Sequence, residues 1–545
     1  MKMVKKSGKR PRKFIVITGG PMSGLGKGTA AASIGRILAP NYRVLPIKFD
    51  GYLNADPGTQ NPEQHGEVFI LDDGREVDMD FGHYERFTNH TSKFCHNITS
   101  GKIFDAVIGK ERKGEYLGKT VQIFPHVIDE IKRRILAIAQ EEKPDVLMIE
   151  IGGTIDDIEE SWFIRAVREL SNEYKEQMTF CHLAYAPMLS AVGEVKTRLV
   201  QTSVESLLQK GIRPDVVICR AEKRMSSDAK EKIARFCGID VKAVVSDPHS
   251  ETIYDLPLLF EEEGLRLYLE HKTGLKTNPG LEEWKKQVEG ITQTQKSVRV
   301  AICGKYTGLK DSYASIIESL IHAGALHKVS VGIDFIETTD ICTQEDVRAK
   351  LQGVQGIIIP GGFGRRGTEG KIQMAQYARE QHIPYLGLCL GLQIAVIEFA
   401  RNVCGLTGAN SSEFVEEGAS VIHPVIDILP GQKRVNQKGG TMRLGAYSAM
   451  LQEGSQVREL YGCSEVSERH RHRYEVNPVY HEILEKHGMI FSGYSYDEGT
   501  KLVEFIELPN GVFRGTQAHP EFKSRLIAPS PLFVGFLRDV VGKGL

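Results

Sequence analysis

Gly387-Leu388-Cys389-Leu390-Gly391 sets a thiol between two glycines in the pattern G-x-C-x-G, the spacing of a nucleophile elbow. It follows a strand-like run, Ile383 to Leu388, and opens a helix-like run from Leu392 to Val403. A sharp strand-to-helix turn lifts the residue at its apex clear of a sheet, and the flanking glycines permit the tight backbone. The partial positive charge of a helix N-terminus favours a thiolate there. Far downstream, Gln517-Ala518-His519-Pro520-Glu521 places a His two residues before an acid. That pair can supply a general base and the group that orients it. Cys389 alone reads equally well as a buried structural thiol. With His519 and Glu521 it reads as a nucleophile.

A second cluster suggests phosphate chemistry. Gly19-Gly20-Pro21-Met22-Ser23-Gly24-Leu25-Gly26-Lys27-Gly28-Thr29 follows the first strand-like run and opens a helix-like one. Glycines let backbone N–H groups face an anion, the helix N-terminus attracts it, and a Lys reaches the terminal phosphates. The match to a Walker A loop is not strict: Pro21 holds the position of the first Gly, and Gly28 separates Lys27 from Thr29. Lys48 and Asp50 end the second strand-like run, and Glu150 interrupts an otherwise apolar one. A carboxylate in such a strand is costly unless it is paired or holds a cation. Asp78 and Asp80 could share that cation. An ion pair of Glu150 with Lys27 or Lys48 fits these residues as well.

Both clusters need a sheet whose strand ends present them. Apolar runs at Phe14–Gly19, 42–49, 146–152, 179–186 and 215–220 alternate with helical patterns at Lys27–Ala39, 126–140, 159–171, 202–211 and 228–236. Continuous apolar strands separated by helices imply a parallel sheet covered on both faces. The alternation breaks between Asp50 and Lys119 into a long polar, Gly-rich region of the kind that forms lids or subunit contacts. It resumes with strands at 298–304, 329–336 and 356–360 and helices at 311–327 and 369–379. The fold class is therefore α/β, two doubly wound parallel-sheet domains in series. The expected division is a basic tail at 1–13, a first domain at 14–271, a linker at 272–296 containing a helix at 280–289, and a second domain at 297–545.

A chain of 545 residues can bury a core in each of several domains. Its net charge of -1 gives no electrostatic case for nucleic acid or membrane. The nine cysteines show no C-x-x-C and no metal-ligand spacing, which suggests reduced thiols and a cytoplasmic location. No run resembles a signal peptide or a membrane span.

The ordered motifs resemble those of the CTP synthases. Ser23–Thr29, Asn54–Thr59, Gln64–Phe69, Asp80–Phe87, Glu150–Glu159, Gly193–Thr197, Pro360–Gly364, the elbow and Arg469–Glu475 carry the resemblance over nearly the whole chain. It implies a P-loop, dethiobiotin-synthetase-like ATP-binding domain, then a flavodoxin-like class I glutamine amidotransferase domain. It further implies ATP-dependent amination of UTP to CTP with ammonia from L-glutamine, through a 4-phosphorylated UTP and a tunnel between the domains. By resemblance, Gly24, Leu25, Gly26, Lys27, Gly28, Thr29, Lys48 and Asp80 bind ATP, and Asp80 and Glu150 hold Mg2+. Ser23, Asp157, Ile158, Glu159, Lys196, Thr197, Arg198, Gln201 and Lys232 meet UTP or the inhibitory product CTP. Cys389, His519 and Glu521 form the triad, and Gly361, Gly362, Leu390, Gln393, Glu413 and Arg473 receive glutamine. Arg366, Gly367 and Glu369 are linked to GTP activation, although a solvated loop is an equally good reading of those three. The resemblance also implies a homotetramer, a dimer of dimers. Pro21-Met22, Gly51 in place of a usual Pro, and Leu199-Val200 depart from the family pattern. The alternative is a glutamine-dependent amide synthase of the cobyrinate type, which amidates carboxylates.

Overall fold

The computed structural model describes residues 13–189, 194–278, 280–415, 421–428, 442–497 and 499–543. The basic residues at 2–12 and Gly193 of the Gly193–Thr197 motif lie outside the described residues. The chain forms two compact units, one running to Pro57 and continuing over His83–Lys285, the other comprising Gly58–Gly82 and Lys286–Leu545.

The first unit is built on seven strands: β1 Lys13–Gly19, β2 Val44–Asp50, β3 Asn97–Thr99, β4 Val146–Ile151, β5 Met178–Tyr185, β6 Val216–Ala221 and β7 Val244–Pro248. They lie in the order β7-β6-β5-β1-β4-β2-β3, and every pairing is parallel. Their Ile, Val and Leu runs are buried on both faces, as the sequence pattern requires. Each fully buried aliphatic side chain, Ile149 for example, contributes about 1.5–3 kcal/mol of transfer free energy. The helix Lys27–Leu38 is rich in alanine and buried almost throughout, so it lies close on the sheet. Where it crosses Thr88, a Cβ on Gly35 would come within 2.7 Å of the threonine methyl.

The long polar region is not without structure. It holds the helices Asp80–Thr88 and Ser100–Arg112 and the edge strand β3. Their charged outer faces dilute the apolar signal in sequence. The polar stretch expected to be a linker also carries structure. Its helix is Glu282–Thr292, and Trp284 is fully buried against Phe87 and Tyr254 with the Arg36 guanidinium over its ring.

The second unit is built on nine strands: β8 Lys296–Gly304, β9 Val329–Glu337, β10 Gly356–Ile359, β11 Tyr385–Leu388, β12 Arg443–Leu451, β13 Glu465–His472, β14 Ile490–Asp497, β15 Thr500–Glu507 and β16 Phe513–Thr516. The order is β9-β8-β10-β11-β16-β15-β14-β12-β13. The first five are parallel and follow the flavodoxin order 2-1-3-4-5. The last four extend that sheet by antiparallel pairings, an addition to the expected doubly wound core. Residues 58–82, expected in the first domain, belong to this unit. Their hairpin, Phe69–Ile70 with Glu76–Val77, is tied to β13 through Asp72–Arg469 at 2.5 Å and Glu76–Arg471 at 2.7 Å. Among the described residues, no helix is long and apolar enough to cross a membrane.

Candidate active sites

In the second unit the nucleophile elbow has the expected local cause. Strand β11 ends at Leu388, and the helix Leu390–Asn402 begins one residue later. Cys389 turns between them at φ 51° and ψ −100°, a conformation that costs a non-glycine residue on the order of 1–3 kcal/mol. Its N–H donates to the Thr516 carbonyl at 2.7 Å, which helps hold the turn. The two glycines are required for close approach. A Cβ on Gly387 would lie 2.6 Å from the Gly391 carbonyl, and one on Gly391 would lie 2.1 Å from the Ile359 carbonyl oxygen.

His519 and Glu521 come from the turn after β16. His519 Nδ1 is 2.7 Å from Glu521 Oε1, and the imidazole also hydrogen-bonds to the Cys389 thiol. Burial lowers the imidazole's proton affinity, but the Glu521 carboxylate and the Cys389 sulfur outweigh it and push His519 up to about 10. The thiol also donates to the Arg471 carbonyl at 3.7 Å and accepts from Gln517 Nε2 at 3.6 Å. Cys389, His519 and Glu521 are thus in one hydrogen-bonded chain.

Gly361 and Gly362 follow β10; Gly361 faces this chain and Gly362 faces Leu390. A Cβ on Gly361 would lie 2.7 Å from His519 Cε1 and 3.6 Å from Cys389 Cβ. The N–H of Leu390 opens the adjacent helix and lacks an intrahelical acceptor, as the first N–H groups of any helix do. Gln393 donates to the Tyr474 carbonyl at 3.0 Å and to Gln517 Oε1 at 3.2 Å. Glu413 accepts the Gly364 N–H at 2.7 Å; burial raises its carboxyl, opposed by that hydrogen bond and by Lys305 and Lys371. Arg473 is half-buried just after β13, next to Tyr474 in sequence. Arg366 donates to the Lys305 carbonyl, Gly367 caps the helix Thr368–Glu380, and Glu369 is paired with Arg401 at 2.8 Å. A cavity of about 230 Å³ opens beside His519 and Gly361 and is lined on its other side by Gly58, Thr59, Glu67 and Val68. Gln517 and the Arg471 carbonyl are site groups that the sequence reading did not assign. Gln517 lies inside the quoted His519 motif, so its place next to the base was the available signal.

In the first unit the loop after β1 bends through Gly24 and Gly26 at φ 72° and 85°. Gly26 caps the helix Lys27–Leu38 with no side chain on its N–H groups, which leaves that end open to an anion. Lys27 Nζ donates to the Gly153 carbonyl at 2.5 Å. Ser23 lies exposed at the start of the same loop. Lys48 is buried 3.5 Å from Asp50. Glu150 in β4 accepts from the Tyr84 hydroxyl at 2.5 Å. Asp80 opens the helix Asp80–Thr88, and its own N–H donates to Asp78 at 2.9 Å.

Asp157 accepts the Thr154 N–H at 2.6 Å, while Ile158 and Glu159 are exposed beside it. Lys196, Thr197, Arg198 and Gln201 gather at the start of the helix Arg198–Gln209, where Gln201 Nε2 donates to Thr197 Oγ1 at 3.3 Å. Arg198 lies over the Phe236 ring, and Lys232 is exposed on the helix Ser227–Cys237. Of the departures, Val200 is core and Leu199 is half-exposed on the same turn. Gly51 has a clear cause: its N–H donates to the buried Glu160 carboxyl, and a Cβ there would lie 2.6 Å from Glu160 Oε1. The loop glycines also line a cavity with Arg220 and Asp247, a pair 2.8 Å apart at the ends of β6 and β7. Sequence reading missed that pair, although the carboxyl ends of parallel strands are where ligands bind.

Fold and site together define a class: an α/β unit of flavodoxin order carrying a hydrogen-bonded Cys–His–Glu chain at a strand-to-helix turn, joined on one polypeptide to an α/β unit with a glycine-rich loop after its first strand. The family described as "CTP synthase N-terminus" matches residues 13–275, and "Glutamine amidotransferase class-I" matches residues 308–538. A CTP synthase of Methanocaldococcus jannaschii is 50% identical over 97% of this chain and 99% of its own length. One of Archaeoglobus fulgidus is 49% identical over 96% of this chain and 98% of its own. A solved structure, the acivicin-bound glutaminase domain of Trypanosoma brucei CTPS, is 37% identical over 45% of this chain and 94% of its own, with a TM-score of 0.42. The chain belongs to the CTP synthase family, glutamine-hydrolysing ligases that form CTP.

Proposed function

We propose that this chain aminates UTP at C4 in an ATP-dependent reaction, using ammonia released from glutamine by its own second unit. The observation that carries the reading is the hydrogen-bonded chain Cys389–His519–Glu521 on the same polypeptide as an open, lysine-bearing phosphate loop. The near-full-length relatives named CTP synthase support it over a carboxylate-amidating amide synthase.

The C4 carbonyl of uracil is a poor electrophile and its oxygen a poor leaving group. Transfer of a phosphoryl group from ATP to O4 removes both obstacles, and such transfer is catalysed mainly by positioning and charge. The loop Gly24–Thr29 with Lys27 and Lys48 serves the ATP phosphates. Asp80 and Glu150 offer hard oxygen donors that fit Mg2+, which needs only one or two carboxylates beside substrate phosphates. Among the described residues no group of three or more His, Cys, Asp or Glu could hold a metal, so these two carboxylates need the phosphates to complete the set. The ion offsets phosphate charge when bound. Lys196, Thr197, Arg198, Gln201 and Lys232 serve the UTP triphosphate. The helix at Arg198 has no side-chain cap, and its free N–H groups suit an anion. Ser23 and the strip Asp157–Glu159 serve the pyrimidine nucleotide, including CTP as inhibitor.

In the second unit, His519 holds the proton given up by the thiol as an imidazolium, and the Cys389 sulfur attacks the glutamine amide. Gly361, Gly362 and Leu390 supply N–H groups for the oxyanion. Gln393, Glu413 and Arg473 hold the amino-acid end. His519 gives its proton to the leaving ammonia, and water then releases glutamate from the thioester. Ammonia is used before it is protonated in bulk water, and the cavity beside His519 supports a route toward Glu67 and Val68. Arg366, Gly367 and Glu369 respond to GTP, and the working assembly is a tetramer of paired dimers.

The deciding assay supplies UTP, ATP and Mg2+ with glutamine, then with an ammonium salt. CTP should form from both nitrogen sources, read as the absorbance change toward the cytosine band. Absence of CTP with either source would overturn the reading.

A further inference from the structure

Three fully buried polar side chains stand directly behind the phosphate loop, and the reaction above uses none of them. Thr18 Oγ1 is 2.8 Å from His182 Nδ1, and His182 Nε2 is 2.7 Å from Ser203 Oγ. Thr18 and His182 are register partners on β1 and β5, so both side chains leave the same face of the sheet. Ser203 reaches them from the helix Arg198–Gln209. The loop itself touches this chain. Gly20 donates its N–H to the Leu183 carbonyl at 2.8 Å, and a Cβ on Gly20 would come within 2.4 Å of Ser203 Oγ.

From these contacts we infer that His182 is a positioning residue that ties the phosphate loop to the helix bearing Arg198 and Gln201, so that binding at one is felt at the other. The inference rests on the ATP and UTP assignments proposed above.

The chemistry of the imidazole makes the tie directional. Burial, aided by the nearby Lys27 ammonium, drives His182 down to about 3, so it is neutral. A neutral imidazole has one N–H and one lone pair. One hydroxyl must therefore give its proton to the ring and the other must receive the ring's. Neither hydroxyl can move off without leaving a buried ring nitrogen unpaired, which is costly. A shift of Thr18 and the following glycines on phosphate binding is thus resisted or relayed through the ring to Ser203. Ser203 lies in the second turn of a helix whose first turn carries Arg198 and Gln201. Gly20 fits the same logic, since any side chain there would push the loop and the serine apart.

The test uses the full chain in the ammonia-supported reaction, which bypasses the amidotransferase. The KM for ATP is measured at low and at saturating UTP, and the ratio of the two values reports the coupling. We expect a ratio of about fivefold or more in the wild type, within the usual span of coupling between sites. Thr18→Val keeps the shape of the side chain but removes the hydroxyl, and it should bring the ratio toward one while kcat at double saturation stays within about threefold. Thr18→Ser restores the hydroxyl and should restore the ratio. Ser203→Ala should act like Thr18→Val, which keeps the test available if His182→Phe does not fold. Thr18→Val and Ser203→Ala proteins that retain the wild-type ratio would overturn the inference and make His182 a core residue only. A wild-type ratio of one would overturn it equally. A wild type that makes no CTP at all would instead remove the nucleotide assignments on which the inference stands.

Discussion

The imidazole Nδ1 of His519 and the Oε1 of Glu521 lie 2.7 Å apart, while the other oxygen of that carboxylate, Oε2, is buried without a hydrogen-bond partner among the described residues. The whole acceptor strength of Glu521 is therefore directed at one ring nitrogen. On the function proposed above, it holds the ring with Nε2 facing the thiol and stabilises the imidazolium. Glu521→Gln keeps the shape but can present an N–H to Nδ1 and select the wrong tautomer. Glutamine hydrolysis should fall by roughly 10²- to 10⁴-fold with little change in KM. A steady-state glutaminase assay checks this, and a loss confined to KM would count against the orienting role.

Removing the sulfur separates the two activities. Cys389→Ala should abolish glutamine hydrolysis and leave CTP formation from ammonium salts near the wild-type level. Loss of both activities would make Cys389 structural. The same variant carries a pH signature. His519 is raised from 6.5 to about 10, with Glu521 and Cys389 outweighing burial. A basic group raised in the fold contributes stability that is complete below its unfolded value, about 6.5, and that is lost as pH rises through about 10. Cys389→Ala removes one of the two raising partners, so His519 should titrate lower. The fall in Tm between pH 6.5 and 10 should then be smaller in the variant than in the wild type.

Gly361→Ala probes the wall opposite the base. The added Cβ would meet His519 Cε1 at 2.7 Å, closer than side chains approach, so the imidazole must move away from the sulfur. A displacement near 1 Å at a reacting group costs on the order of 10²-fold in rate. Glutaminase kcat should drop by about that factor while the ammonia-supported reaction is unchanged. Unchanged glutaminase would show that the base has room to spare.

Those three residues were legible in the sequence because their signals are local. The glycines at 387 and 391 and the His519-x-Glu521 spacing are each written within a few residues, and so is the phosphate loop. The groups around them are not. The Arg471 carbonyl that accepts a hydrogen bond from the thiol is 82 residues from Cys389 in sequence, and Gln517 is 128 residues away. Both come from strands of the antiparallel extension or its border, where alternating charged and apolar residues hide the sheet. The same holds for residues 58–82. Their polar character suggested a lid or a subunit contact, but Asp72 and Glu76 are polar because they pair with Arg469 and Arg471. Charge complementarity between distant segments leaves no periodicity to read.

The departure at Gly51 was visible in sequence, but its cause was not, because the cause is Glu160. Burial, then the nearby Asp50, raises the Glu160 carboxyl to about 8, so it is held neutral in the fold. Its Oε2 has no hydrogen-bond partner among the described residues, and the carboxyl accepts from the Gly51 N–H. Proline at 51 would delete that donor and set its Cβ 2.6 Å from Glu160 Oε1 and 2.7 Å from Glu159 Cβ. Gly51→Pro should therefore destabilise the protein by about 1–3 kcal/mol, the cost of a lost buried hydrogen bond. Adding Glu160→Ala relieves the first clash and not the second, so it should restore only part of the loss. Glu160→Gln keeps the acceptor and removes the titration. An acid raised in the fold contributes stability that is present below its unfolded value, about 4.5, and is lost as pH rises through about 8. The glutamine variant should then gain Tm over the wild type at pH 8 and lose that gain at pH 4.5. Thermal unfolding at the two pH values reads the difference. An equal effect at both would mean that Glu160 is ionised in the fold, and that Gly51 answers to space alone.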